Sequence, residues 1–237
     1  MESARGEKIS RPVINLNHSF AGFTRVAFAL LLFASFSHAQ PKFDPGTTRA
    51  ADLVELVSLD STIRLDIRYA TSNNFMKRPM YAQSRAFLQR PAAEALVRIQ
   101  KSLRSKSLGL LVFDGYRPWT VTKKFWDETP PEHHGFVADP KLGSKHNRGC
   151  AVDLSLVSLR TGKEIVMPSP YDSFTESAAA AYRGGTRAQR KMRDVLRKVM
   201  EREGFAVNPT EWWHFDYRDW REYEVLDIPF DQIPAAK

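Results

Sequence analysis

Ser144-Lys-His-Asn-Arg-Gly-Cys-Ala-Val-Asp-Leu-Ser-Leu-Val157 is the stretch on which the reading of the fold turns. From Ala151 to Val157 the side chains alternate, with Val152, Leu154 and Leu156 on one face and Ala151, Asp153 and Ser155 on the other. That two-residue period is a β-strand's, and it means that Asp153 need not sit in the core. Upstream, Gly109-Leu-Leu-Val-Phe113 reads as a buried strand that ends at Asp114-Gly-Tyr-Arg-Pro118, where a turn precedes a helix beginning at Pro118.

Further out, Ile63, Leu65, Ile67 and Tyr69 alternate with Arg64, Asp66 and Arg68, which predicts a half-buried strand over 63–69. Leu88, Ala92, Leu96, Ile99 and Leu103 recur at helical steps, so 88–104 is an amphipathic helix with Pro91 tolerated in its first turn. A third helix opens on a Thr186/Gln189 capping box, carries Met192, Val195, Leu196, Val199 and Met200 as its stripe, and stops at Gly204. Trp212 to Tyr217 is aromatic and strand-like. The expected fold is α+β: one compact domain with a small antiparallel sheet packed against helices.

Composition agrees with a globular chain, since 43% hydrophobic and 26% charged residues among 237 exclude a disordered or membrane-embedded protein. Residues 1–39 read as a removable export signal: Arg5, Lys8, Arg11 and Arg25 precede the apolar run Val26 to Phe36, and Ser37 and Ala39 frame a cleavage site. Residues 40–52 are a flexible N-terminal tail, 53–237 the folded domain, and the mature protein is secreted or periplasmic, with no stable membrane span.

Removing the signal deletes four basic and two acidic side chains, which leaves a formal charge of +6 from the original +8. Much of the excess lies on the 186–204 helix and reads as a solvated face; no nucleic-acid motif accompanies it, and no nucleic-acid partner is expected. Cys150 is the only cysteine, so no intramolecular disulfide forms. It reads as a small packing residue, and His133 and His134, after Pro130-Pro131, as a solvated loop.

His146, Asp153 and His214 supply the two histidines and one carboxylate that a catalytic zinc takes while keeping a fourth position for water. Glu211, three residues before His214, lies near enough to serve as general base without ligating. Spacing alone leaves other readings open, with Asp153 as a turn cap and His214 as a satisfied core histidine. Glu-x-x-His on an ideal strand also points its two side chains to opposite faces, so Glu211 must project from the turn after Asn208-Pro209 to share a site with His214.

The motifs Ser144-x-His-x-x-Gly-x-Ala-x-Asp153 and Glu211-x-x-His214 resemble those of the zinc D,D-peptidases of the VanX and D-alanyl-D-alanine carboxypeptidase superfamily, peptidase family M15. Tyr69-Ala-Thr-Ser-Asn-Asn-Phe75, Arg78-Pro-x-Tyr81, Asp114-Gly-Tyr-Arg-Pro118 and Glu211-Trp-Trp-His214 are similar to the dipeptidase branch. The resemblance implies one zinc ion per chain, held at the sheet by His146, Asp153 and His214. It implies Glu211 as the base that later protonates the leaving amine, and Arg117 as the group that stabilises the oxyanion, although an Arg117–Asp114 salt bridge is an alternative use of that guanidinium.

It further implies a small D,D-dipeptide substrate such as D-Ala-D-Ala, with Asp172 at the free amine, Ser144 and Tyr81 toward the carboxylate, and Tyr69 and Asp114 as further substrate contacts. Met167-Pro-Ser-Pro-Tyr-Asp172 departs from the family's more usual Met-Gly-Thr-x-Phe-Asp. Two alternatives stand beside this reading: a peptidoglycan D,D- or L,D-carboxypeptidase acting on cell-wall peptides, and a zinc-stabilised wall-binding module without catalysis.

Overall fold

The computed structural model describes residues 49–234; the export signal expected over 1–39 and residues 40–48 of the expected tail lie outside the described residues. In chain order the elements are β1 (Leu53–Glu55), the one-turn α1 (Leu56–Leu59), β2 (Arg64–Leu65), β3 (Phe87–Gln89), α2 (Arg90–Arg104), β4 (Leu108–Asp114), α3 (Trp119–Glu128), β5 (Ala151–Ser158), α4 (Arg187–Arg202), β6 (Phe205–Asn208) and β7 (Glu211–Tyr217). β1 pairs with β3, and the other strands form a five-stranded sheet in the order β2-β4-β5-β7-β6.

Three expectations are corrected. The sheet is mixed and not wholly antiparallel, because β2 runs parallel to β4, the chain crossing between them through β3 and α2. The strand expected over 63–69 is short: Ile63, Ile67 and Tyr69 are buried as the alternation predicts, but only Arg64 and Leu65 pair with β4 before a 3-10 turn at Arg68–Ala70. The tail expected to reach residue 52 is tied down from Arg49, whose N–H donates to Glu222 O (3.1 Å) and whose side chain pairs with Asp219 and Glu222, while Asp52 pairs with Arg90.

Helices α2 and α4 share one core with the sheet. Ala92, Leu96, Ile99 and Leu103 of α2 and Leu196, Val199 and Met200 of α4 bury together with Leu110, Val112, Val152, Leu154 and Leu156, and hydrophobic burial of this kind dominates the folding free energy. Leu88 belongs to β3, so α2 starts two residues later than its apolar spacing suggests, with Pro91 in its first turn. The capping box of α4 is formed, with Thr186 Oγ1 accepting from Gln189 N and Gln189 Oε1 accepting from Thr186 N, and such a cap contributes about 1 kcal/mol. Gly204 follows at φ +91°, a conformation that glycine adopts without Cβ strain.

With the even-numbered residues of β5 turned toward the helices, Asp153 and Ser155 face the other side of the sheet, as do Leu111 and Phe113 of β4. On that side the loops after β4, β5 and β6 converge. Among the described residues no helix is long and apolar enough to cross a membrane.

Candidate active site

Asp153 of β5 and His214 of β7 are directly paired across the two antiparallel strands. His146 reaches them from a 3-10 turn, His146–Arg148, that Gly149 ends at φ +67°. Glycine suits this position by conformation, since a side chain is strained at that positive φ. The three facing atoms form a small triangle: Asp153 Oδ1 to His214 Nδ1 is 3.0 Å, Asp153 Oδ1 to His146 Nε2 is 3.5 Å, and His146 Nε2 to His214 Nδ1 is 3.2 Å.

The outer nitrogens of both rings are engaged. His146 Nδ1 lies 2.7 Å from Gly115 O and His214 Nε2 lies 2.9 Å from Asp216 Oδ1, acceptors that assign the ring protons to the outer positions and leave the inner lone pairs directed at one another and at Asp153. The Asp153–His214 contact is close but not aligned as a hydrogen bond, so the buried Oδ1 has no donor. Three converging acceptors with nothing between them are repulsive unless a cation or a proton lies among them. A tetrahedral zinc with bonds of about 2.0–2.1 Å sets its ligand atoms about 3.3 Å apart, and the observed edges bracket that value. The residues therefore fit a zinc ion.

Without a cation the cluster is proton-hungry. Burial by itself would lower the His214 pKa, but the carboxylates of Asp153 and Asp216 beside the ring outweigh it and raise the value to about 10. Asp153 is pushed up by burial and down further by the two histidines, and the net shift is downward, so it stays ionised. Its other oxygen, Oδ2, accepts from Tyr171 OH at 2.9 Å.

Glu211 stands 3.8 Å from His214 Nδ1 through its Oε2, which accepts from Asn208 Nδ2 at 2.7 Å. The face problem posed by Glu-x-x-His is resolved by an irregularity in β7: Val207 pairs with Phe215, but the preceding pair is Asn208 with Glu211. One step along β6 thus spans four along β7, and the extra residues break the alternation. Burial raises the Glu211 pKa, with His214 pulling against it and Asp153 adding to it, which moves a carboxylate toward the range of a general base.

Arg117 lines the same cleft. The salt bridge that the sequence allows is present: Arg117 donates from Nε (3.1 Å) and Nη2 (2.7 Å) to Asp114 Oδ2, leaving its other donors for an acceptor in the cleft. Burial works against its charge and Asp114 outweighs it, so the guanidinium stays protonated.

Tyr81 and Asp114, expected to touch substrate, lie behind Arg117 and off the cleft wall. Asp114 is 1% exposed and its oxygens already accept from Tyr81 OH, Gly115 N and Arg117; a carboxylate so engaged orients the arginine and has no face for a ligand. Tyr69, Ser144 and Asp172 do line the cleft, with Tyr69 OH donating to Asp172 Oδ2 at 3.1 Å. The enclosed Asp172 carboxyl is pushed well up by burial and by the charge of Asp153, and its backbone is held at φ 56°.

His134 stacks on Trp126 and its Nε2 contacts the carbonyls of Trp126 and Thr129; among the described residues neither it nor His133 belongs to a cluster of metal-ligating groups. Cys150 is a buried packing residue whose thiol is pushed up by burial. Four participants escape sequence reasoning: Asn208, Tyr171, Lys145, which pairs with Asp216, and Asp216 itself. Asp216 alone had a signal, being two residues from His214 on a strand and so on its face.

Fold and site together define a hydrolase of the metallopeptidase class. The chain belongs to the D-Ala-D-Ala dipeptidase family of peptidase family M15, whose profile matches residues 49–232. It is 29% identical over 179 residues to the D-alanyl-D-alanine dipeptidase of Escherichia coli K12, covering 76% of this chain and 91% of that one. It is 33% identical over 178 residues to the D-alanyl-D-alanine dipeptidase of Enterococcus faecium, covering 66% and 87%. A solved LD-carboxypeptidase, LdcB, aligns at 16% identity over 81% of this chain and 83% of its own with a TM-score of 0.43.

Proposed function

We propose that the protein is a zinc-dependent D,D-dipeptidase that hydrolyses D-Ala-D-Ala, with His146, Asp153 and His214 as the metal ligands. The observation that carries this reading is the triangle of inner donor atoms, 3.0, 3.2 and 3.5 Å on its edges, whose shape suits one tetrahedral zinc. Zinc held there supplies Lewis acidity, polarising a peptide carbonyl and acidifying a water.

The chain's own groups do the rest. Glu211, steadied at Oε2 by Asn208, takes the water proton and returns it to the leaving amine. Arg117, held by Asp114, directs its remaining donors at the carbonyl oxygen as charge develops there, where a permanently charged and preoriented donor acts most strongly. Asp172, with Tyr69 on its carboxyl, receives the free ammonium, whose charge draws the raised carboxyl into its ionised form. Ser144 lies toward the substrate carboxylate. On this reading residues 1–39 are an export signal and the mature protein acts in the periplasm or outside the cell.

The test is release of free D-Ala from D-Ala-D-Ala by the protein as purified, after chelation, and with zinc restored. Turnover that disappears on chelation and returns with zinc is expected. Absence of turnover by folded, zinc-loaded protein, with cleavage of a stem pentapeptide instead, would move the assignment to a carboxypeptidase.

A further inference from the structure

The proposed reaction leaves the aromatic part of the cleft unused. Phe75, Phe136 and Phe174 also line the cleft, with Phe125 buried beneath Phe75 and against Arg117. Phe136 and Phe174 stack with centroids 4.5 Å apart and planes 11° from parallel; Phe75 packs on Phe174 at 5.5 Å and on Phe125 at 5.1 Å. Phe136 is 46% exposed. A single exposed ring on a surface is unremarkable, but a contiguous aromatic wall inside a cleft marks a contact for an apolar group. Two alanyl methyl groups cannot cover three rings.

The turn presenting Phe136 is anchored. It is the last residue of the 3-10 segment Pro131–Phe136, within which His134 stacks on Trp126 at 3.9 Å and contacts the carbonyls of Trp126 and Thr129. Phe136 is thus held in place before any ligand arrives, which spares the ordering cost of binding.

The wall begins where the substrate's amine is placed. Phe174 follows Asp172 by two residues, and Tyr69, which donates to Asp172, sets its ring edge-on to Phe75 at 6.1 Å. We infer that Phe75, Phe136 and Phe174 form a subsite for the side chain of the substrate's N-terminal residue, and that the enzyme favours D,D-dipeptides whose first residue carries a large apolar side chain. This rests on the dipeptidase reading and on Asp172 as the amine contact.

The experiment compares kcat/KM of the zinc-loaded protein and its Phe136→Ala variant on D-Ala-D-Ala, D-Phe-D-Ala and D-Ala-D-Phe. The wild type should cleave D-Phe-D-Ala roughly tenfold better than D-Ala-D-Ala, as covering several methylenes in an apolar site allows. Phe136→Ala should erase that advantage, mainly through KM, while changing D-Ala-D-Ala less than about threefold, because an alanyl methyl covers little of the ring; Phe136→Leu should restore part of it.

The inference is overturned if D-Phe-D-Ala is the poorer substrate, if Phe136→Ala leaves the ratio unchanged, or if only D-Ala-D-Phe gains from its ring. Turnover of none of the three would instead sink the dipeptidase reading, and the subsite with it.

Discussion

Asp153 and His214 face each other as a cross-strand pair of β5 and β7, with Oδ1 and Nδ1 3.0 Å apart. The pair closes the β5–β7 ladder that begins at Ala151 and Asp216, so two of the three proposed zinc ligands are positioned by backbone pairing. Only His146 depends on a turn.

Glu211 touches this pair without belonging to it. Glu211→Gln should lower turnover by about 10²–10⁴-fold, the usual range for loss of a general base, while bound zinc per chain stays at the wild-type value. Metal analysis beside the D-Ala release assay checks both halves, and loss of zinc in the variant would recast Glu211 as a ligand.

Asp216 accepts from the outer nitrogen of His214 and is itself paired with Lys145. Asp216→Asn should weaken zinc binding by about 10–100-fold, as removal of such outer partners does, measured by competition with a chromophoric chelator. An unchanged affinity would show that the strand alone orients the ring.

The His214 pKa near 10 in the metal-free site means that zinc must displace a proton at neutral pH. Affinity should therefore rise by up to about tenfold per pH unit between pH 6 and 9, and calorimetry in buffers of different ionisation enthalpy should register a released proton. The same shift sets the sign for the metal-free fold. With a folded value raised above the unfolded value of about 6.5, the histidine's contribution is fully present below pH 6.5 and is lost as pH rises toward 10.

Asp172 carries the opposite liability. Its carboxyl is pushed well above the ordinary value by burial and by Asp153, so the folded state holds the proton more tightly than the unfolded one, and stability is lost as pH rises from about 3.9 through the folded value. Asp172→Asn keeps a side chain that tolerates φ 56° and removes that cost. Calorimetric melting of metal-free protein should show the variant more stable at pH 7 to 8, with the gain vanishing toward pH 4. D-Ala-D-Ala KM should rise by at least about tenfold, the worth of a lost charged contact.

Local pattern carried a large part of this molecule. The alternation over Ala151–Val157, the stripes of α2 and α4 and the Thr186/Gln189 box are short-range regularities, and each appears in the fold close to where the residues imply it. Where pattern misled, a non-local partner was involved. Ile63–Tyr69 alternates in burial, yet only two of its residues find β4 to pair with. Arg49 and Asp52 look like tail residues until Asp219, Glu222 and Arg90 meet them.

By itself the sequence determined the chemistry available: which side chains can bind a cation, take a proton or carry a fixed positive charge, and which face of β5 holds Asp153. Tertiary structure alone decided that Glu211 and His214 share a face, because the irregularity in β7 arises from its pairing with β6. It also turned Asp114 and Tyr81 from substrate contacts into the support of Arg117, and brought Phe136 beside Phe174. A side chain's type and period are local properties, whereas its distance from a residue a hundred positions away is set only when the sheet closes and the loops at its edge are packed together.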